Sequence, residues 1–337
     1  MKIVEIEKKV NNYYRRGGFK AVWDRAKEIL PVKLFSIQAR LICTLHDENL
    51  SSDAQEMINQ WFIYLYFKRK YSDIINNSNY LSNWKEKDSL TPKIIWWCWL
   101  QGEINAPALC KACLKSLYIN YPDYDIRVIT LENLHQYVHM PPYIDEKFSN
   151  GQIGAAHYSD ILRTLLLIEN GGVWIDSTVF SSKRASDILE QPFFFYQNWM
   201  KENKAIICSN WMLVSQKENP ILKLTRDLLF QYWKESDFAV HYYIYHFFFH
   251  MAAEKYHELW AKVPLYSNVP VHILQSELFN PYNEKRFNQI MQMADFHKLT
   301  HHLNADTEGD VSGSNYEYII EEMERKGVSR VLCKSIQ

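Results

Sequence analysis

Two carboxylates and a guanidinium lie close together in the stretch AAHYSDILRTLLLIENGGVWIDSTV, residues 155–179. Asp160 and Arg163 are three positions apart, so a helix would put both on one face. Asp176 follows a short apolar segment and a pair of glycines that can end a helix. Converging groups of these types suit a polyhydroxylated, anionic ligand, with or without a divalent cation. The same spacing also fits a surface ion pair and a strand-ending turn aspartate.

The elements that must position these residues alternate between strand and helix from residue 91 onward. The run KIIWWCWL (93–100) is followed by the helical pattern PALCKACLKSLYIN and then by the strand pattern DIRVIT (125–130). This order predicts an α/β fold with a parallel sheet. Ligands bind such sheets beyond the carboxyl ends of the strands, where Asp176 would lie. Further elements are predicted as a strand at 206–214 and helices at 131–138, 157–170, 219–236, 241–260 and 315–327.

Residues 1–90 show only helical patterns and are taken as a separate region from an α/β domain at 91–337. Apolar residues recur at spacings of three and four in 19–30, 31–46 and 54–71. The start of the chain is modestly basic, which fits either a solvated face or contact with anionic lipid headgroups. The basic residues are Lys8, Lys9, Arg15, Arg16 and Lys20.

Composition and missing motifs exclude several classes of protein. Among 337 residues, 38 are basic and 39 acidic, which argues against nucleic-acid binding as the main role. No signal-peptide pattern and no apolar run of membrane-spanning length is present, and the scattered cysteines favour reduced thiols and a cytoplasmic location. The sequence contains no phosphate loop, dinucleotide fingerprint, HExxH motif or GxSxG motif.

Two pairs of potential metal ligands remain open to more than one interpretation. Cys110 and Cys113 form a C-x-x-C pair inside a helical pattern, so they are either two small residues of one helix face or a redox or metal pair. His246 and His250 have a helical spacing that can bind zinc, but no third ligand stands at metalloprotease spacing. We expect structural roles for both pairs.

The stretch from Tyr158 to Asp176 resembles a known family of enzymes. Y-S-D-x-x-R followed by G-G-V-W-I-D is similar to the donor-site signature of the DXD-containing glycosyltransferases, family 32 (sugar-binding region), and of its bacterial capsular-polysaccharide-synthesis branch. P-K-I-I-x-x-x-W-L-x-G at 92–102 is similar to that family's first strand. S-N-W at 209–211 and H-K-L-T at 297–300 resemble features of the branch. The resemblance covers residues 91–302.

This resemblance implies a GT-A fold, in which a Rossmann-like nucleotide half and an acceptor half share one sheet. It implies a retaining enzyme that moves a hexose from a UDP-sugar to a glycan acceptor. We expect this acceptor to be lipid-linked, at the inner face of the cell membrane. The helical region would then lie on the acceptor or membrane side. By position, Trp99 would stack on the nucleobase. Asp160 would accept hydrogen bonds from ribose or sugar hydroxyls, and Arg163 would hold Asp160 or reach the sugar.

The resemblance also implies Mn²⁺ or Mg²⁺ as a cofactor, bound by Asp176 as the first acid of the DXD motif. Thr178 stands where the second acid is expected, and a hydroxyl is a weak ligand, so the site lacks one formal charge. His301 is the preferred candidate for a further ligand from the C-terminal part, ahead of His297 and His302. For each of these histidines, a structural or surface role is the alternative. Lys298 could neutralise the diphosphate directly.

Two other functions remain open on the sequence. A non-catalytic sugar-nucleotide-binding or scaffold protein would explain the degenerate motif at Thr178. Alternatively, the helical first 90 residues are the functional part and dock a membrane or a partner. The resemblance favours the enzyme, with a nucleotide sugar and a glycan as partners.

Overall fold

The computed structural model describes residues 52–84, 91–198, 203–302 and 310–334, and scattered positions between 14 and 41. The described positions before residue 42 are helical. Much of the predicted helices at 19–30 and 31–46, and the basic residues at 8, 9, 15 and 16, lie outside the described residues.

Seven strands lie within the described residues, and five of them form one mixed sheet. They are β1 (Ile94–Cys98), β2 (Asp125–Ile129), β3 (Gly172–Ile175), β4 (Val179–Ser181), β5 (Phe193–Gln197), β6 (Cys208–Ser215) and β7 (Phe296–Lys298). The main sheet has the order β2-β1-β3-β6-β5. Its first three strands are parallel, whereas β6 is antiparallel to both β3 and β5. The predicted α/β class is confirmed, and the antiparallel half is an addition to the predicted parallel sheet.

Helices cover both faces of this sheet. In chain order they are α1 (Ser52–Lys70), α2 (Ser72–Asn77), α3 (Ala108–Asn120), α4 (Pro142–Ser149), α5 (Ala155–Asn170), α6 (Ser186–Leu189), α7 (Pro220–Glu235), α8 (Ile244–Lys255), α9 (His257–Trp260), α10 (Val269–Ser276), α11 (Glu284–Met293) and α12 (Asn315–Lys334). Within the described residues, no helix is both long enough and apolar enough to cross a bilayer.

The glycine pair between α5 and β3 sets the distance between neighbouring strands. Gly171 ends α5 with φ +70°, and Gly172 opens β3 with φ +100°. A Cβ atom on Gly172 would lie 2.6 Å from the backbone oxygen of Ile94 in β1. The indole nitrogen of Trp96 also donates a hydrogen bond of 2.8 Å to the oxygen of Gly171. Only glycine permits this backbone and this approach together, so the pair fixes β3 closely against β1.

Helices α1 and α2 share a core with the α/β region. Tyr64 and Phe67 of α1 are buried in the same cluster as Tyr232 of α7 and Phe248 of α8. The ring of Phe67 lies edge-on to Phe248, at a centroid distance of 5.4 Å. Residues 52–77 therefore share a hydrophobic core with the region that follows residue 90. The division of the chain at residue 90 stays a prediction.

A second, two-stranded ribbon joins distant parts of the chain. Strand β4 follows Asp176 almost directly, and it pairs antiparallel with β7, Val179 standing opposite Lys298. The amide of Leu299 extends this pairing by donating to the oxygen of Thr178 at 2.8 Å. The ribbon brings the residues after Asp176 next to those around position 298.

The helix predicted at 131–138 is wrong, because this segment forms turns and a short 3-10 helix, Leu134–Gln136. The Asn133 side chain accepts from the amide of Thr130 at 2.8 Å and donates to the oxygen of Val128 at 2.9 Å. These local bonds favour a turn over a helix start.

Two smaller expectations can also be compared with the structure. The helix predicted at 241–260 is interrupted at Tyr256, between α8 and α9. Cys110 and Cys113 are free thiols buried on α3, as the interpretation of a packed helix face requires.

Candidate active site

A cavity of about 420 Å³ opens where β1 and β3 end and α5 begins; we call it the strand-end pocket. Its wall includes five of the six residues singled out from the sequence: Trp99, Asp160, Arg163, Asp176 and His301. The structure therefore brings these residues together at the edge of the sheet where a ligand was expected.

A second cavity, of about 640 Å³, adjoins the first and shares part of its wall. Six amide side chains line it, and we therefore call it the amide pocket: Gln60, Asn198, Asn203, Asn210, Asn268 and Gln275. Lys298, the sixth predicted residue, lies in its wall with Trp211, and helix α1 adds Asp53 and Glu56. Both pockets are lined by Asp176, Asn210, Tyr242 and His246.

Asp176 lies on the wall shared by the two pockets, with a partner on each carboxylate oxygen. Oδ1 accepts from the indole nitrogen of Trp174 at 2.8 Å and lies 3.4 Å from Nη2 of Arg163. Oδ2 accepts from Nζ of Lys298 at 2.9 Å. Burial disfavours the ionised carboxylate, but the charges of Lys298 and Arg163 outweigh burial and hold the pKa of Asp176 below its ordinary value. Asp176 is therefore an anion held between two cations.

Asp160 and Arg163 are buried, at 7% and 5% exposure, and this excludes the alternative of a surface pair. Nη2 of Arg163 lies 3.5 Å from Oδ1 of Asp160, so the guanidinium bridges Asp160 and Asp176. It also lies over the ring of Trp174, 4.9 Å from the centroid. These contacts fix Arg163 as the charged link between α5 and the end of β3.

Lys298 and Thr178 contact each other directly beside Asp176. The ammonium of Lys298 donates to Oγ1 of Thr178 at 2.7 Å as well as to Asp176. The hydroxyl at the third position of the motif thus binds a lysine. The distance between these side chains follows from the β4–β7 ribbon.

A divalent cation fits this arrangement poorly. Mg²⁺ and Mn²⁺ prefer several oxygen ligands, with carboxylates among them. Positions 176 and 178 offer one carboxylate and one neutral hydroxyl, and the Lys298 ammonium already lies against both. Asp160 accepts from the Asn210 side chain at 2.8 Å and faces Arg163. In the part of the chain that the structure describes, no group of three His, Cys, Asp or Glu side chains is placed to hold a metal ion.

Trp99 and His301 form one edge of the strand-end pocket. Their rings meet edge-to-face with a centroid distance of 5.6 Å. Burial, together with the nearby His302 and Lys298, lowers the pKa of His301. His297 is fully buried on β7 beside Phe180 and lines neither pocket, and burial lowers its pKa to about 4. Of the three histidines considered as ligands from the C-terminal part, His301 and His302 line the strand-end pocket and His297 does not.

Three residues of the shared wall were not predicted as site residues, although the sequence analysis considered His246 as a metal ligand: Asn210, Tyr242 and His246. Asn210 binds Asp160 through its side chain, and its backbone oxygen accepts from Arg163. The S-N-W stretch contained it, but nothing in that stretch points to a contact with helix α5.

His246 reaches both pockets from α8, whereas His250 is directed elsewhere. The ring of His250 stacks on Tyr64 at 4.6 Å and faces Glu254 at 3.7 Å. Burial lowers the pKa of His246 to about 4, so its imidazole is neutral near pH 7. The helical spacing of the two histidines gave no indication of these separate surroundings.

Comparison with known proteins identifies the family to which this α/β chain belongs. The family model described as "Capsular polysaccharide synthesis protein" matches residues 45–319, and the chain belongs to that family. The resemblance to this branch is thereby confirmed. A solved structure described as "PaToxG Glycosyltransferase" is a distant match: it is 18% identical, with a TM-score of 0.40, over 78% of this chain and 96% of that chain. No curated protein matches the sequence.

Proposed function

We propose that this protein is a retaining glycosyltransferase that moves a hexose from a UDP-sugar to a glycan acceptor during capsular polysaccharide synthesis. Membership of the capsular family supports the pathway. The observation that carries the proposal is the position of Asp176, with two cations, on the wall that joins the two pockets. A donor in one pocket and an acceptor in the other would meet at this wall.

The strand-end pocket suits the donor nucleotide. Trp99 offers a flat aromatic surface for the uracil base, and bases stack favourably on such surfaces. Asp160 and the adjoining Ser159 can bind hydroxyls of the ribose or the sugar. Arg163 and Lys298 provide positive charge near the Asp176 carboxylate, where the diphosphate would lie.

The amide pocket suits a neutral, hydroxyl-rich acceptor. Amide side chains both donate and accept hydrogen bonds, which matches sugar hydroxyls that do the same. Trp211 and Tyr242 add aromatic surface, and Asp53 and Glu56 bring carboxylates from helix α1. We infer that the acceptor is a glycan, lipid-linked at the cytoplasmic face of the membrane, and that α1 is part of its site.

The transfer that we propose breaks one bond at the sugar C1 and forms another. The bond from the sugar C1 to the phosphate oxygen breaks, and its electron pair stays on the phosphate. The acceptor hydroxyl oxygen forms the new bond to C1 on the same face, and its proton passes to the departing phosphate oxygen. The protein positions the two substrates and offsets the charge that grows on the leaving group. The family resemblance predicts a Mn²⁺ or Mg²⁺ ion in this role, but the residues around Asp176 fit such an ion poorly.

A panel of nucleotide sugars tests the proposal. Ligand binding raises the melting temperature by mass action, so UDP-sugars should stabilise the protein and GDP- or ADP-sugars should not. Slow release of UDP and free hexose without an acceptor would support a transferase. Binding without release would support the scaffold alternative that Thr178 suggests. If no nucleotide or nucleotide sugar stabilises the protein, the proposal is wrong.

A further inference from the structure

We propose that the ammonium of Lys298, held between Asp176 and Thr178, is the cation that neutralises the departing diphosphate, so that donor binding and transfer need no divalent metal. This inference rests on the proposed function and makes it more specific. It starts from two distances, 2.9 Å from Nζ to Oδ2 of Asp176 and 2.7 Å to Oγ1 of Thr178.

The ammonium is held by the fold as well as by these two bonds. Lys298 stands opposite Val179 in the β4–β7 ribbon, and the next amide binds the oxygen of Thr178. Its side chain is only 20% exposed and lies in the wall of the amide pocket. A lysine ammonium has three N–H donors, and Asp176 and Thr178 take two of them. The third can bind a phosphate oxygen at the shared wall.

Charge balance supports the exchange of a metal for a lysine. Two acids and a divalent cation, as the DXD resemblance implies, have a total charge of zero. Asp176, the neutral Thr178 and one ammonium also have a total charge of zero. The site has one negative charge fewer than a DXD site, and its cation has one positive charge fewer than a divalent metal. The net charge is therefore the same. A lysine left beside two acids and a metal would not give this balance.

The same geometry disfavours a metal on Asp176. A divalent ion on this carboxylate would lie close to the Lys298 ammonium and to the Arg163 guanidinium, which are 2.9 and 3.4 Å from its two oxygens. Like charges at such distances repel strongly in a partly buried site. The ion would have to displace Lys298 and would gain only the neutral Thr178 hydroxyl as a second ligand.

UDP binding measured by calorimetry tests the inference directly. We expect the wild-type protein to bind UDP with the same Kd, within about twofold, in excess chelator and in Mn²⁺. Lys298→Met should raise the Kd in chelator about tenfold to a hundredfold, because a charged hydrogen bond to phosphate is lost. Lys298→Arg should restore part of the affinity. Lys183→Met is the matched control, since Lys183 forms a surface ion pair of 2.9 Å with Asp295 beside the same ribbon.

A double variant tests the exchange in the opposite direction. Thr178→Asp with Lys298→Asn restores the second acid and removes the ammonium. We expect this protein to bind Mn²⁺, detected by the loss of the free-ion signal in electron paramagnetic resonance, and to need Mn²⁺ for UDP binding. The wild-type protein should leave that signal unchanged.

The outcomes separate this inference from the proposed function. Wild-type UDP binding that appears only with Mn²⁺ overturns the role of Lys298 and leaves the transferase intact. The same holds if folded Lys298→Met binds UDP in chelator as the wild type does. Absence of UDP binding in every condition overturns the transferase and this inference together.

Discussion

The strand-end pocket takes Asp160, Arg163 and Asp176 from one continuous stretch of chain, whereas the amide pocket collects side chains from Gln60 to Gln275. The first pocket supplies polarity as paired charges that are largely buried. The second supplies it mainly as neutral amides, together with Asp176, Lys298 and two carboxylates from helix α1. Local motifs can encode the first arrangement, but only the folded chain assembles the second. The difference also separates two tasks, offsetting the charge of an anion and matching the hydroxyls of a glycan.

The largest expected effect of a single change falls on the shared wall. Asp176→Asn removes the anion that orients Arg163 and Lys298, so we expect donor turnover to fall about a thousandfold, as measured by UDP release. Asp123→Asn is the matched control, because Asp123 also pairs with an arginine and a lysine, but on the surface. Turnover within tenfold of the wild type, in a folded Asp176→Asn protein, would contradict a central role for this wall.

The next effect concerns the coupling of Asp160 and Arg163. Each of Asp160→Asn and Arg163→Met should lower turnover about a hundredfold, and the double variant should cost much less than the product of the two. The reason is the shared guanidinium bridge, whose loss already disorders both carboxylates. Donor hydrolysis and unfolding free energy should be measured for all four proteins of the cycle. If the fold-losses of the two single variants multiply in the double variant, Asp160 and Arg163 have independent roles.

A crossed pair of variants compares the two pockets directly. Trp99→Ala should raise the Kd for UDP about tenfold through lost stacking, with the KM for the acceptor unchanged. Asn268→Ala should raise the acceptor KM several-fold, with UDP binding and donor hydrolysis unchanged. Steady-state transfer and UDP calorimetry on both proteins give the four values. If both variants affect both ligands equally, the pockets do not divide the substrates.

The last prediction concerns stability, not turnover or affinity, and is a pH dependence from His246, which both pockets share. Its folded pKa of about 4 lies below the ordinary value of 6.5, so the unfolded state binds the proton more readily. The associated stability is complete above about pH 6.5 and is lost as the pH falls toward 4. Between pH 7 and pH 5, His246→Asn should lose about 2 kcal/mol less unfolding free energy than the wild type. Chemical denaturation at both pH values measures this difference. If the unfolding free energies of the two proteins change equally between pH 7 and pH 5, His246 does not titrate as stated.

Asp160, Arg163 and Asp176 could be expected to lie together in the strand-end pocket because the sequence signals for their placement are local. Asp160 and Arg163 share a helical face, and the glycine pair indicates where the chain turns from α5 into β3. The amide pocket gave no such signal, since its residues come from strands, helices and loops that are far apart in sequence. Asn210 reaches Asp160 only because β6 lies beside β3 in an antiparallel arrangement.

The missed elements of the fold have a similar physical reason. Strands β4 and β7 have three residues each, which is too short for a periodic pattern. Strand β5 is a run of aromatic residues, and such a run does not distinguish a buried strand from a buried helix. The ribbon that holds Lys298 against Asp176 therefore had to be seen in the structure.

That ribbon also has a consequence for how the chain becomes active during its synthesis. Asp176 and Lys298 are 122 positions apart, so at about 5–20 residues per second a ribosome takes about 6–24 seconds to pass from one to the other. During this interval the nascent chain has Asp176 and Arg163 but neither the lysine nor the strand that carries it. Under the proposed function, a growing polypeptide cannot turn over nucleotide sugar until Lys298 has been added and its strand has paired with β4.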